Sequence, residues 1–264
     1  MVLIIVRKKT TCSINVIINL KTFINYLMTK KINSKLIKLV KYYSLINYNL
    51  IYDSNAINRY KKDGFKLTGN KTDQLQKLKN SLKNIKKCNL KRSATNLVFS
   101  DGNPSSKIML IGEGPGANED KEGLPFVGRA GQLLDKMLLS IKLDRKSVYI
   151  TNVVNYRPPE NRKPTDIEIA RYLPFLTKHI EIINPKILVL LGSTALNTII
   201  GNEVVISKAR GKWVEKKIGN CSTQVIASFH PAFLMRQPDQ KKMSWIDLKM
   251  IRQKIKELKI KIEK

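Results

Sequence analysis

Residues 112–120, GEGPGANED, place closely spaced small residues beside three carboxylates. The small residues fit the G-x-G-x-x-G/A pattern of turns that bind a dinucleotide pyrophosphate, and they are Gly112, Gly114 and Ala117. The carboxylates, which are unfavourable neighbours for a pyrophosphate, belong to Glu113, Glu119 and Asp120. The stretch therefore has two alternative interpretations: a turn that binds a cofactor, or a pocket that does acid–base chemistry on another substrate.

The dinucleotide interpretation makes two demands that this sequence does not meet. A helix should begin directly at the glycine turn, and an acidic residue should end the next strand. Here a polar loop is predicted after Pro115 and Gly116, and a helical pattern begins only near Ala130. The next strand carries Thr151 and Asn152 at its end instead of an acidic residue. Both differences favour the acid–base pocket.

The elements that must position this turn are visible as alternating strand and helix patterns. Strands are predicted for residues 107–111, 148–154, 187–191 and 224–229. Helices are predicted for residues 131–141, 165–183, 193–200 and 245 to about 262, and residues 72–88 have helical leucine spacing. This alternation predicts an α/β fold with a parallel, four-stranded sheet covered by helices on both faces. Unusual polar stretches follow three of the strands, and we expect them to form one composite site at the carboxyl ends.

The 264-residue chain is strongly basic, with a formal net charge of +29. Such a charge favours a polyanionic partner, with nucleic acid first and an anionic membrane surface second. For the first hundred residues, a Lys-, Asn- and Ile-rich composition without function is the alternative. No apolar run approaches the ~18 residues that span a bilayer, so no membrane partner is expected.

Three widely spaced cysteines exclude a disulfide framework and fit a reducing cytoplasm. We expect a cytoplasmic protein of the bacterial, nucleoid-associated type, and an organelle address stays open. Residues 1–70 are predicted to form a basic helical extension, with an amphipathic helix over residues 34–48, and residues 71–264 the catalytic domain. Met28 is an alternative start, which leaves open whether residues 1–27 belong to the working protein.

Three segments resemble the motifs of family 4 of the uracil-DNA glycosylase superfamily, in the same order. They are GEGPGANEDKEGLPFVGRAGQLLDKML, VYITNVVNYRPPENRKP and SFHPAFLMRQPDQKKMSWIDL. The resemblance extends from about residue 88 to residue 258 and implies a three-layer α/β/α sandwich, in agreement with the predicted strands. It also implies a monomeric, monofunctional glycosylase of base excision repair, which flips deoxyuridine out of DNA and hydrolyses its N-glycosidic bond.

The resemblance further implies roles for individual residues. Glu113 would position or activate the attacking water, Asn152 would read the O4 and N3–H edge of uracil, and His230 would face O2. The substrate-binding residues would be Gly112, Gly114, Glu119, Phe126 and Asn161, with Phe126 stacking on the base and Glu119 near its C5 edge. Residues 230–236 would wedge into the duplex, and the DNA contacts would be Pro231, Leu234, Met235 and Arg236.

The proposed chemistry suits these residue types. Loss of a base proceeds through an oxocarbenium-like sugar and an anionic base, so hydrogen bonds that strengthen with the developing charge matter most. A neutral histidine can donate such a bond. A fixed amide can pair with uracil and leave unpaired groups against cytosine. The alternatives are core packing for Phe126, a turn or cap for Asn152, and a structural turn for His230.

The resemblance also raises the question of a [4Fe–4S] cluster, which many members of the family bind through four cysteines. Cys88 matches one of these positions, and the others hold Ile85, Tyr156 and Tyr172. Because four thiolates are needed, we predict no cluster and no other metal or cofactor, with the two tyrosines filling the space. The lost cysteines and the charge motivate a second hypothesis, an inert nucleic-acid-binding module on the same fold.

Two further features keep mainly structural interpretations. Asp120 and His179 are expected to be structural, the latter because it lies among apolar residues of a predicted helix. The turn at residues 210–213 has two alternatives, a phosphate contact through Arg210 and Lys212, or a solvated turn in which Trp213 closes the core.

Overall fold

The computed structural model of the chain describes residues 3–5, 17–19, 69–86, 88–201 and 204–262. The chain divides into two compact units, Met1–Lys66 and Leu67–Lys264. In the first unit, the described residues form two antiparallel strands, β1 (Leu3–Ile5) and β2 (Ile17–Asn19). The helix predicted for residues 34–48 lies outside the described residues. Across the described part of the chain, every helix is too short or too polar to span a bilayer.

The second unit alternates strands and helices as the sequence predicts. Its strands are β3 (Asp101–Gly102), β4 (Ile108–Gly112), β5 (Tyr149–Asn152), β6 (Ile187–Leu191), β7 (Trp213–Ile218) and β8 (Cys221–Ser228). Its helices are α1 (Lys71–Lys83), α2 (Asn89–Ser93), α3 (Ala117–Glu122), α4 (Arg129–Ser140), α5 (Asp166–Ile183), α6 (Ser193–Ile199), α7 (Ile206–Ala209), α8 (Pro231–Arg236) and α9 (Lys241–Glu257). Two 3₁₀ turns span Pro159–Asn161 and Pro238–Gln240.

The sheet has the strand order β3-β5-β4-β6-β8-β7. The four inner strands are parallel and correspond to the four predicted strands, so the α/β class and the parallel core are confirmed. The whole sheet has six strands, because β3 and β7 add antiparallel edges to this predicted four-stranded core. β3 has only two residues and β7 reads WVEKKI, so neither shows the apolar run of a buried strand.

Two hydrophobic clusters cover the two faces of the sheet. Alternate residues of β4 divide between them: Met109 and Ile111 enter one cluster, and Ile108 and Leu110 enter the other. This division follows from the two-residue repeat of a strand. Helices α1, α5 and α6 contribute to the first cluster, while α4, α8 and α9 contribute to the second. The result is the three-layer α/β/α sandwich expected above.

The glycine turn after β4 differs from its prediction. A polar loop was expected up to about Ala130, but helix α3 begins directly after Gly116. Six residues are too few to show a helical repeat in the sequence. The helix is instead stabilised at its start, where the Glu119 carboxylate accepts a hydrogen bond from the Gly116 N–H at 3.1 Å.

Candidate active site

The carboxyl ends of the parallel strands meet around one cavity of about 190 Å³. The predicted site residues that line it are Glu113, Gly114, Glu119, Phe126, Asn152, Asn161 and His230. These residues come from four separate parts of the chain, which the parallel sheet brings to one edge. The single composite site expected from the sequence is therefore present, although the role of each residue is still a prediction.

Gly112 lies at the end of β4, directly opposite Asn152 in the register of β5. A Cβ atom at position 112 would lie 2.4 Å from Asn152 Oδ1 and 2.5 Å from Phe126 Cζ. Real carbon atoms do not approach this closely, so only glycine lets the amide and the aromatic ring enter the cavity together. Gly112 thus shapes the site through the side chain it lacks.

Asn152 is 3% exposed, and its Oδ1 has no hydrogen-bond partner among the described residues. A buried polar atom without a partner destabilises the folded chain by about 1–3 kcal/mol. Such atoms in native proteins call for an explanation, and a ligand that supplies the missing bond is one. The capping or turn role considered for Asn152 would have supplied a partner from the chain itself.

Glu113 is half-buried immediately after β4, and its carboxylate accepts a hydrogen bond from the Thr194 hydroxyl. Thr194 lies in the first turn of α6, which follows β6, the neighbour of β4 in the sheet. This bond fixes the orientation of the carboxylate within the cavity. Sequence reasoning missed Thr194, although its place just after a predicted strand was a signal that it reaches the same edge.

His230 follows β8 and caps the N-terminus of α8, where its Nδ1 accepts from the Ala232 N–H at 3.2 Å. In the neutral ring, this bond leaves the proton on Nε2. Burial lowers the pKa of His230 to about 4, and the positive charge of Arg236 adds to the effect, while Glu119 opposes it. At neutral pH the ring is therefore an uncharged hydrogen-bond donor.

Phe126 is buried, and its ring stacks on His230 with 5.5 Å between the ring centroids and 28° between the planes. It also joins the hydrophobic cluster that includes Leu134 and Leu138 of α4. The ring thus has the core contacts of the structural alternative and still lines the cavity. Its backbone adopts φ = +55°, which is uncommon for a residue other than glycine.

Both carboxylate oxygens of Glu119 are bound to backbone. One accepts from the Gly116 N–H at 3.1 Å and the other from the Gly128 N–H at 2.8 Å. Glu119 therefore joins the glycine turn to the loop that carries Phe126, besides lining the cavity. Its neighbour Asp120 is 3% exposed and accepts from the backbone of Thr95 and Asn96, as its structural interpretation expects.

Asn161 lies at the exposed rim of the cavity, with φ = +55° in the 3₁₀ turn. Its side-chain oxygen accepts from Arg157 Nε at 2.8 Å. Arg162, also exposed, makes two hydrogen bonds to Glu168 at 2.7 and 2.8 Å. Arg162 lines the mouth of the cavity, where this ion pair holds its guanidinium group.

The segment predicted to wedge into DNA is helix α8, not an extended loop. Pro231 and Leu234 are buried, with Leu234 only 1% exposed in the core cluster. The helix turns these two residues towards the core in this structure, and their contact with DNA stays a prediction. Met235 is half-buried and Arg236 is exposed, so both remain accessible to a ligand.

The structure decides against one of the two interpretations of the turn at residues 210–213. Arg210 forms an ion pair with Asp247, donating from Nε to Oδ2 at 3.0 Å, and the side chain of Asp247 is fully buried. Ser228, two residues before His230, donates to the same carboxylate at 2.7 Å. Arg210 is thus engaged inside the protein and is not the phosphate contact that one alternative expected.

The four positions that match cluster ligands of the family lie in a hydrophobic cluster. Cys88 Sγ and the Tyr172 hydroxyl are 3.2 Å apart, and Tyr172 is fully buried. Tyr156 is 5% exposed, and Ile85 packs against the same cluster. Burial raises the pKa of Tyr172 far above its usual range, so this phenol stays protonated.

His179 has the structural environment that was expected for it. It is 2% exposed, it stacks on Phe99 at 4.6 Å, and its Nε2 is 2.8 Å from the Tyr149 hydroxyl. Burial lowers its pKa to about 3, so it is neutral in the folded chain.

Comparison with known proteins shows which family the chain resembles. The family model of the uracil DNA glycosylase superfamily matches residues 99–251. A type-4 uracil-DNA glycosylase of Sulfurisphaera tokodaii is 43% identical over 186 residues, 69% of this chain and 84% of the relative. That of Thermotoga maritima is 47% identical over 156 residues, 58% of this chain and 80% of the relative. That of Archaeoglobus fulgidus is 38% identical over 183 residues, 68% of this chain and 92% of the relative.

Proposed function

Because the chain belongs to family 4 of the uracil-DNA glycosylase superfamily, we propose that it excises uracil from DNA as a monofunctional glycosylase. The observation that carries this proposal is the meeting of Glu113, Asn152 and His230 around one cavity. Each of them offers a chemical group that the reaction needs, and each comes from the end of a different parallel strand. The reaction would be the first step of base excision repair.

In this reaction, water adds to C1′ of the sugar as the bond from C1′ to N1 of uracil breaks. The base departs with the electron pair and later takes up a proton, and the water oxygen becomes the sugar hydroxyl of an abasic site. Glu113 would orient the water and stabilise the positive sugar. His230 would donate its Nε2–H to O2, where negative charge develops on the departing base.

Asn152 would provide the choice of base. A fixed amide can accept from N3–H and donate to O4 of uracil, and cytosine offers the opposite groups at both atoms. The amide oxygen already lies buried without a partner among the described residues, so a base with an N3–H supplies the bond it lacks. The flipped base would lie against the face of Phe126, which favours stacking without choosing among bases.

The substrate would be DNA, and the net charge of +29 would attract its phosphates. We propose that the chain acts as a monomer in a cytoplasm of the bacterial type, with a catalytic domain from about residue 71 and a basic extension before it. Arg236 and Met235 at the exposed side of α8 are the residues of that segment best placed to contact DNA.

We also propose that the chain holds no iron–sulfur cluster. The described positions offer one thiol, two phenols and an isoleucine, and a cluster of this kind needs four thiolates. The Tyr172 hydroxyl lies against Cys88 Sγ, so the aromatic side chain fills the space beside the single thiol. Iron and sulfide assays on the purified protein test this, and stoichiometric amounts of both with a brown absorbance would contradict it.

To test the function, the protein is incubated with an oligonucleotide that carries one uracil, and the product is then treated with alkali. We expect an alkali-labile abasic site and no strand break before alkali, because the enzyme is monofunctional. Glu113→Gln should slow the excision strongly while DNA binding stays nearly intact. Binding by the wild-type chain without any alkali-labile product would favour the inert nucleic-acid-binding module instead.

A further inference from the structure

Phe126 presents its ring to the cavity from a constrained backbone. Its φ of +55° is in the left-handed region, which is unfavourable for a residue with a side chain. Its carbonyl oxygen lies so close to α4 that a Cβ at Gly131 would be 1.6 Å from it. The ring is confined between the strand end at Gly112 and the ring of His230. A conformation of this kind persists only where surrounding contacts hold it.

Arg145, in the loop between α4 and β5, supplies such contacts. Its Nη2 donates to the Phe126 carbonyl, and its Nη1 donates to the Pro125 carbonyl at 3.1 Å. The guanidinium is itself held by two carboxylates, since Nη1 donates to Asp101 of β3 at 2.6 Å and Nε donates to Asp135 of α4 at 2.8 Å. A rigid fork of five N–H donors can serve four acceptors at once, and an ammonium group cannot match that geometry.

The charge of Arg145 is secured by the same neighbours. Burial lowers its pKa, but the hydrogen bonds and charges of Asp101 and Asp135 outweigh this effect and raise it. The side chain is 26% exposed and lies outside the set of residues that line the cavity. Arg145 therefore cannot touch the base and can act on it only through Phe126.

We propose that Arg145 is a positioning residue that holds Phe126 in the conformation on which the flipped base stacks. The inference rests on the proposed function through the stacking role of Phe126. It assigns to Asp101 and Asp135 the task of aiming the guanidinium at two consecutive backbone carbonyls. This unit could not be predicted from local sequence patterns, because its members lie on β3, on α4 and in two loops.

The test compares Arg145→Met and Arg145→Lys with the control Arg171→Met. Arg171 also donates to a backbone carbonyl, that of Lys86 at 2.8 Å, but lies on α5. Arg145→Met should slow single-turnover excision by roughly 10- to 100-fold, as expected when a group that positions the substrate is displaced by about 1 Å. The inhibition constant for free uracil should rise at least about fivefold, the value of one weak aromatic stack. Arg171→Met should change neither.

Arg145→Lys separates positioning from simple stability. It keeps the charge beside both carboxylates, so the melting temperature should recover most of its loss. It lacks the fork that reaches both carbonyls, so the excision rate and the uracil inhibition constant should stay impaired. Full recovery of all three by lysine would show that only the ion pairs matter and would overturn the proposal.

A double-mutant cycle with Phe126→Leu tests whether Arg145 affects excision through the Phe126 ring. If Arg145 acts through the ring, Arg145→Met should slow the Phe126→Leu enzyme by less than about threefold. An equally large loss in both backgrounds would contradict the proposal. The position of the ring can also be followed by ¹⁹F NMR in protein labelled with fluorophenylalanine. The resonance of Phe126 is identified as the one that is missing from the Phe126→Leu spectrum. This resonance should shift or split into two in Arg145→Met, and an unchanged resonance would contradict the proposal. This readout needs no activity, so a wild-type chain that releases no uracil would refute the proposed function alone.

Discussion

The substitution Gly112→Ala is the most demanding test of the site geometry. It adds one carbon atom at a point where Asn152 Oδ1 would be 2.4 Å away and Phe126 Cζ 2.5 Å away. Normal contacts between such atoms are about 3.5 Å, so each group must retreat by roughly 1 Å. The backbone at Gly112 cannot shift to avoid the clash, because its pairing with β5 fixes it in the sheet. Asn152 and Phe126 are both buried and have little space to move into.

The magnitude follows from these displacements. Overpacking of a buried site lowers the free energy of unfolding by about 1–3 kcal/mol. Alanine also restricts the unfolded chain more than glycine does, which raises the free energy of unfolding by about 0.4–1 kcal/mol. The melting temperature should therefore fall by several degrees without loss of the fold. A displacement of about 1 Å at a reacting group reduces rates about 100-fold. Because Asn152 and Phe126 both move, excision should slow by at least that factor.

The assay is single-turnover excision from a single-uracil oligonucleotide with enzyme in excess, together with a thermal melt. Gly219→Ala is the matched control, because that glycine has φ = +56° and a Cβ there would lie 2.0 Å from Glu181 Oε1, in the turn between β7 and β8. It should lower the melting temperature and leave the excision rate within about threefold, the usual size of indirect effects. A folded Gly112→Ala enzyme with wild-type rate would refute the idea that glycine is required for the approach of Asn152 and Phe126.

Four further predictions concern single side chains of the site and the pH dependence of the chain. Thr194→Val should slow excision by roughly tenfold because a hydrogen bond to a charged group is lost, whereas Thr194→Ser should retain the rate, and equal losses in both would contradict the orienting role. Asn152→Asp should reduce the preference for uracil over cytosine, measured on matched oligonucleotides, and an unchanged preference would contradict its base-reading role. Excision should stay constant from pH 8 to about 5 and decline towards the pKa of His230 at about 4, because a protonated Nδ1 can no longer accept from the Ala232 N–H. Stability should fall as pH drops below about 6.5, because both His230 and His179 bind a proton there in the unfolded chain and not in the folded one. The share of His230 is about 3 kcal/mol once the pH is below 4. An excision rate that declines around pH 6.5 would contradict the lowered pKa of His230.

The strands could be predicted where burial dictates composition. Residues 187–191 were predicted as a strand and form β6, which is buried along its whole length between β4 and β8. The prediction for residues 148–154 was too long, because β5 ends at Asn152, whose partner Gly112 is the last residue of β4. Short helices such as α3 and α8 escaped prediction, since they are fixed by capping side chains and not by a repeating apolar face.

The members of the cavity could be predicted because each motif follows a strand, but their partners could not. The hydroxyl that orients Glu113 comes from Thr194, 81 residues later in the chain. Leu234 was predicted to contact DNA from a loop, but it is buried, because His230 caps a helix that turns Leu234 towards the core. Contacts of this kind depend on packing in three dimensions, and local sequence patterns carry no record of them.

The loop that carries Phe126 shows how a surface cavity keeps its shape. Arg145 donates a hydrogen bond to the Phe126 carbonyl. The N–H of Gly128, two residues after Phe126, donates to the Glu119 carboxylate. A cation thus binds the backbone oxygen and an anion binds the backbone N–H of one short segment, and charge-assisted bonds are roughly twice as strong as neutral ones. Because charged side chains hold both backbone groups of this segment, the ring keeps its place at the edge of the cavity between Gly112 and His230.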